Sequence, residues 1–279
     1  MSHGYKTILS QFDSTAQAVR RLDAAATLAR DFDAHLAVVY TVATRIYGDP
    51  FIIDGSALIA QELVRLRDQK EADAKAAFDK AVGRLDRPVE WRSDDGDPAR
   101  VVCEQGRYAD LIVLGQYERD AASDTDPDFI GRVVLGSGRP VLVIPYAGHF
   151  PVIGRRVLVA WNASRESARA VDASLPLLRR ASDVQIVSFN ARPGRGGHGE
   201  VPGADIGLFL ARHGVKATVS TSGSHDVDVG NLILSRAADF GSDLIVMGGY
   251  GHTRAYEFVL GGATQTLLES MTVPVLYAH

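Results

Sequence analysis

A chain of 279 residues, 46% hydrophobic and 23% charged, carries enough apolar material for two domains of ordinary size. Its formal net charge of −4 argues against binding nucleic acid by phosphate neutralisation, and its single cysteine, Cys103, excludes an intrachain disulfide and a thiolate-rich metal site. No apolar run approaches the ~20 residues that span a bilayer, and Met1-Ser-His-Gly-Tyr-Lys leads into a strand without a signal-peptide region. The expectation is a soluble, cytoplasmic protein with no membrane or nucleic-acid partner.

Tyr5 to Phe12 reads as a buried strand ending in Asp13-Ser14-Thr15, a turn and N-cap cluster. Val19, Leu22, Ala26 and Ala29 then recur at helical spacing. His35 to Val42 is a second strand, and a long charged helix runs from about Ser56 to Leu85. Pro88 to Ser93 is a third strand, closed by Asp94-Asp95-Gly96-Asp97-Pro98, where Pro98 suits a helix start. Val101, Val102 and Gln105 carry a short helix, and Leu111–Leu114 and Val141–Ile144 are the fourth and fifth strands.

The order then repeats. Ile8-Leu9 and Phe12-Asp13 align with Val157-Leu158 and Trp161-Asn162 at a constant offset of 149, which also pairs Leu22-Asp23-Ala24 with Val171-Asp172-Ala173. Ala109-Asp110-Leu-Ile-Val-Leu-Gly115 matches Ser242-Asp243-Leu-Ile-Val-Met-Gly248, and Pro140-Val-Leu142 matches Pro274-Val-Leu276. Two copies of one α/β domain are therefore expected, residues 1–148 and 149–279, each a doubly wound, mostly parallel five-stranded sheet. Ligands of such sheets bind beyond the C-terminal strand ends at the switch in strand order. That places Asp13 or Asn162 close to the loop after the fourth strand of its own half.

That loop is most distinctive in the second copy. Leu244–Met247 is a buried strand that runs into Gly248-Gly-Tyr-Gly251, nine residues follow, and Gly261-Gly262 opens another helical pattern. Glycines let backbone N–H groups approach an anion closely, and a helix N-terminus adds favourable partial charge. With Asp13-Ser14 after the first strand and Val273-Pro-Val-Leu after the loop, the chain resembles a tandem universal stress protein over nearly its whole length. The resemblance implies adenine-nucleotide α-hydrolase-like domains packed as an internal pseudo-dimer through Val141–Ile144 and Val275–Tyr277. It also implies a stress-response protein acting by binding and conformational signalling, with homodimerisation open.

The same resemblance implies a candidate ATP site, with Mg²⁺, in the C-terminal half alone, built from Asn162, Gly248, Gly251, Gly261, Gly262 and Thr264. Two departures stand out. Gly262 occupies the place of the family's phosphate-binding Ser or Thr, leaving Thr264 as a substitute hydroxyl, and Asn162 replaces the strand-one Asp that meets the nucleoside. In the first copy the corresponding loop is Glu118-Arg-Asp-Ala-Ala-Ser-Asp-Thr-Asp-Pro-Asp128, whose five acids would repel a triphosphate.

Other motifs read more plainly. Gly194-Arg-Gly-Gly-His-Gly199 has the G-x-G-x-x-G spacing but follows a second strand, so it is a loop, not a dinucleotide fingerprint. Ser164 with Glu166 reads as an N-cap with a first-turn acid, and Cys103 as a partly buried structural thiol without a basic neighbour. The histidines lack ligand spacing. His252 and Arg254 lie within the glycine loop, and a slow nucleotide hydrolase or phosphotransferase would need His252 as its base. An interaction module with a vestigial cradle is the remaining alternative.

Overall fold

The computed structural model describes residues 4–13, 15–42, 57–119, 125–191, 200–223, 227–251 and 262–279. The first half runs β1 (Thr7–Phe12), α1 (Ala16–Phe32), β2 (His35–Val42), α2 (Ala57–Val82), β3 (Glu90–Asp95), α3 (Pro98–Gly106), β4 (Leu111–Gly115), α4 (Phe129–Gly136) and β5 (Val141–Ile144). The second runs β6 (Arg156–Trp161), α5 (Arg165–Leu178), β7 (Asp183–Phe189), α6 (Ala204–Arg212), β8 (Thr218–Ser222), α7 (Val229–Phe240), β9 (Leu244–Gly248), α8 (Gly262–Ser270) and β10 (Val275–Ala278). Among the described residues no helix is long and apolar enough to cross a membrane.

The strands form one ten-stranded sheet in the order β3-β2-β1-β4-β5-β10-β9-β6-β7-β8. Every neighbouring pair is parallel except β5 and β10, which run antiparallel with Val143 opposite Val275, Leu142 opposite Leu276 and Val141 opposite Tyr277. The two expected five-stranded sheets are thus halves of a continuous one, joined edge to edge by their last strands.

Strand residues alternate between faces because successive side chains point to opposite sides of the pleat. Ile8, Val38, Leu111, Leu142, Val157 and Leu276 pack on one face with α1, α2, α5 and α6. Leu9, Val39, Ile112, Val143, Leu158 and Ile245 pack on the other with α3, α4, α7 and α8. Burial on both faces explains why these strands read as unbroken apolar runs.

Local chemistry sets the ends of the helices. Asp97 caps α3 by accepting from Arg100 N at 2.9 Å, with Pro98 in the first helical position. Ser164 caps α5 by accepting from Ser167 N at 3.1 Å, and Asp228 caps α7 by accepting from Gly230 N and Asn231 N. The repeated Asp110 and Asp243 have a shared structural role. Asp110 accepts the backbone N–H groups of Lys6 and Thr7 at 2.7 and 2.9 Å, and Asp243 accepts those of Gly154 and Arg155 at 2.8 and 2.9 Å, holding the chain as it enters β1 and β6.

Cross-half contacts reinforce the seam. Tyr5 Oη donates to Ala173 O at 2.8 Å, Arg180 stacks over the Phe32 ring at 4.8 Å, and Gln116 Nε2 donates to Leu268 O at 2.8 Å. Leu142→Ala and Leu276→Ala, which empty facing and fully buried positions, are each expected to cost about 2–5 kcal/mol. Chemical denaturation of the full chain checks this, and the double variant should depart from additivity because the two side chains are neighbours.

Candidate functional site

In each half the strand order turns at the pair formed by the first and fourth strands, β1 with β4 and β6 with β9. The two crevices beyond those strand ends are built from matching positions but filled differently.

In the first half Asp13 follows β1 and is buried with Arg21 of α1, at 3.0 Å and with side chains only 6% and 4% exposed. Arg21 Nε also donates to Gln11 O at 2.6 Å, and Asp13 Oδ1 accepts from Thr15 N at 2.9 Å and from the Thr15 hydroxyl. Burial alone would raise the Asp13 carboxyl, but the Arg21 guanidinium and the Thr15 hydrogen bonds hold it below its ordinary value. The guanidinium lies against Gly115 at the end of β4, where a Cβ would collide with it. Gln17 of α1 donates to Glu118 in the acidic loop. The space left, lined by Gln11, Asp13, Thr15, Arg21, Gly115 and Glu118 among others, is about 20 Å³. That volume suits roughly one water.

In the second half Asn162 stands in place of Asp13. It is exposed, and its Oδ1 accepts from Ser164 N at 3.2 Å, turning the chain into α5. Ala170, not an arginine, stands 149 residues beyond Arg21, so no guanidinium from that helix position fills this crevice. Gly248 at the end of β9 presses on the first turn of α5, where a Cβ would lie 2.5 Å from Ser167 N. Only glycine permits that approach.

Beyond it Tyr250 adopts a left-handed φ of 62° and reaches across the seam, its hydroxyl 2.5 Å from where a Cβ on Gly131 of α4 would stand. Gly251 faces Glu166, and Gly262 opens α8 beside Asp228. Thr264 is 4% exposed, turned into the protein, whereas Thr266 Oγ1 bonds Asp228 Oδ2 at 2.9 Å. Gly261, His252, Arg254 and the loop from Gly194 to Gly199 lie outside the described residues.

Glu166 is the residue that sequence reasoning undervalued. Its place in the first turn of α5 was legible, but its burial was not. It is 2% exposed, and Oε1 accepts from Arg165 Nε, whose own side chain is 80% exposed. Burial pushes the carboxyl up, while hydrogen bonds from Arg165, its own backbone N–H and Ser164 bring it net below the usual range. The offset of 149 pairs Glu166 with Gln17, but that Gln17 meets Glu118, the counterpart of Gly251, is visible only in the structure.

The expectation for Cys103 is met in part. Cys103 is partly buried against Arg132 O, and burial raises its thiol despite Arg132 and Arg107, so basic neighbours are present after all but do not activate it. Among the described residues no group of three or more His, Cys, Asp or Glu side chains is placed to hold a metal ion. A larger cavity of about 450 Å³ lies along the seam between Arg139, Pro140, Arg169, Asp172, Phe209 and His279, and none of the sequence-predicted site residues lines it.

Arg21→Met should cost about 3–5 kcal/mol, because it leaves the Asp13 carboxylate buried without its cation. The Asp13 carboxyl titrates below its unfolded value of about 3.9. Its stabilisation is therefore complete above that pH and is lost as pH falls through the lower, folded value. Denaturation curves between pH 3 and pH 7 should show a shallower acid limb in the variant than in the native chain.

The model of the Universal stress protein family matches residues 4–145 and again 154–279. Among solved structures, a universal stress protein from Archaeoglobus fulgidus is similar at a TM-score of 0.71 and 13% identity, covering 98% of this chain and 95% of its own. A functionally unknown protein from Pseudomonas aeruginosa is similar at 0.58 and 15%, covering 98% and 92%. At those identities the likeness is one of fold. No curated protein matches the chain. With both halves matched by the same model in tandem, this chain belongs to the universal stress protein family.

Proposed function

We propose that this chain is a cytoplasmic stress-response protein that acts by binding an adenine nucleotide, ATP with Mg²⁺, in residues 149–279, while residues 1–148 carry a closed crevice and no nucleotide. The observation that carries the reading is the contact between Gly248 and the first turn of α5 at the switch between β6 and β9. It brings the N-terminus of α5, Asn162 and Gly251 to the same strand ends, where donor groups for a nucleotide are concentrated. Backbone N–H groups of Gly248, Gly251, Gly261 and Gly262 would meet the phosphates, and Asn162 the ribose or base. Signalling follows from the position of Tyr250. It sits within the glycine segment yet packs on α4 of the other half, so a ligand that rearranged this segment would act on both halves.

A second reading, an interaction module with a vestigial cradle, draws support from the buried Thr264 and from the acids set against Gly251 and Gly262. A hydrolase or phosphotransferase reading rests on His252, which lies outside the described residues.

Calorimetric titration of the full chain with ATP and Mg²⁺ separates these. Binding in the micromolar to millimolar range is expected, weakened by up to about tenfold in Asn162→Ala through the loss of one hydrogen bond. The hydrogen bond to Ser164 N that the variant also loses is exposed, so its melting temperature should fall by no more than a few degrees. No heat at millimolar ATP would sink the nucleotide reading, and a mass spectrum of small molecules released from the purified protein would then identify any other ligand.

A further inference from the structure

Carboxylates oppose both described ends of the glycine segment, but they are engaged differently. Asp228, whose Oδ1 lies 3.6 Å from where a Cβ on Gly262 would stand, accepts at Oδ2 from Gly230 N, Asn231 N and Thr266 Oγ1. It is the cap of α7, and its charge is spread over those donors. Glu166 is held by Arg165, its own backbone N–H and Ser164, all from the same helix start, and no donor from the glycine segment is among them. Its Oε2 lies 2.8 Å, and its Cδ 3.3 Å, from the Cβ position of Gly251, and its cationic partner Arg165 is itself mostly in solvent. The carboxylate is thus buried among protein atoms, with Oε2 turned to the last glycine of Gly248-Gly-Tyr-Gly251.

The first half gives the comparison. There Gln17 holds the position of Glu166, and its amide donates to Glu118, so the acid in that crevice is answered by a neutral side chain within the protein. In the second half the acid comes from the helix, and the loop position opposite it is a bare glycine. A buried carboxylate beside a ligand crevice stabilises a nearby cation and repels phosphate oxygens at short range where little water screens it.

We propose that Glu166 sets the charge selectivity of the C-terminal crevice: it favours a ribose-bearing ligand whose phosphate charge is absent or neutralised by a divalent cation, and disfavours an uncompensated polyphosphate. The inference rests on the adenine-nucleotide reading of this crevice and specifies which form of the ligand it takes. Glu166 acts here as a specificity residue, and no chemical step is assigned to it. Its ionised state at neutral pH accords with its lowered titration.

The test is calorimetric titration of the full chain at constant ionic strength with adenosine, ATP in EDTA, and ATP with Mg²⁺, repeated on Glu166→Gln and Glu166→Ala. In the native chain metal-free ATP should bind at least about tenfold more weakly than adenosine. Both variants should narrow that ratio by about fivefold or more, because each removes the charge by a different route. Melting curves establish that the variants are folded, and either one suffices for the comparison. An unchanged ratio of metal-free ATP to adenosine in a folded variant overturns the assignment. Absence of heat with all three ligands refutes the adenine-nucleotide reading itself, and this inference with it.

Discussion

Everything in this molecule depends on the short antiparallel pairing of β5 with β10. A parallel α/β unit that ends in an unpaired strand leaves backbone donors and acceptors open along one edge. Here each half closes the other's edge, and the four-residue strands involved are fully buried. Because the pairing is within the sheet, the apolar layers on its two faces also run through from one half to the other. The contacts of Tyr5 with Ala173, Arg180 with Phe32, Gln116 with Leu268 and Tyr250 with Gly131 lie around that seam. The two crevices are therefore set in one framework.

Much of the fold was legible in the sequence because parallel strands buried on both faces have to be apolar throughout. His35–Val42 and Val141–Ile144 coincide with the observed strands, and the long helix read as Ser56–Leu85 is observed as Ala57–Val82. The caps at Asp97, Ser164 and Asp228 follow from turn chemistry that acts within three residues. What escaped is equally physical. Helix α4, Phe-Ile-Gly-Arg-Val-Val-Leu-Gly, is only eight residues long and nearly all apolar, so it offers no polar face from which a period can be read. The continuity of the sheet escaped for another reason. Which strands share an edge is a matter of tertiary pairing, and the resemblance supplied the contact between last strands without saying that they hydrogen-bond.

The candidate site divides along the same line. Glycine spacing and Asn162 are local properties, and the structure sets Gly248 and Gly251 against the first turn of α5 after Asn162. The sequence did not reveal which charges had been drawn inside. The acids of the 118–128 loop are visible as letters, but what fills the first crevice is Arg21, a helix residue eight positions from Asp13. Glu166 likewise looks like an ordinary first-turn acid until its burial beneath Gly251 is known. Burial of a charge is decided by what packs over it, and that information is spread along the chain.

An assembly of identical subunits cannot change one of its sites without changing the other, since every substitution appears at both symmetry-related positions. Joining two copies in a single sheet lifts that restriction. Arg21 has no counterpart at Ala170, and the Gln17–Glu118 pair is answered by Glu166 and Gly251, yet the shared seam keeps its matched strands. One crevice is thereby free to become a fixed part of the architecture while its twin carries a different set of charges.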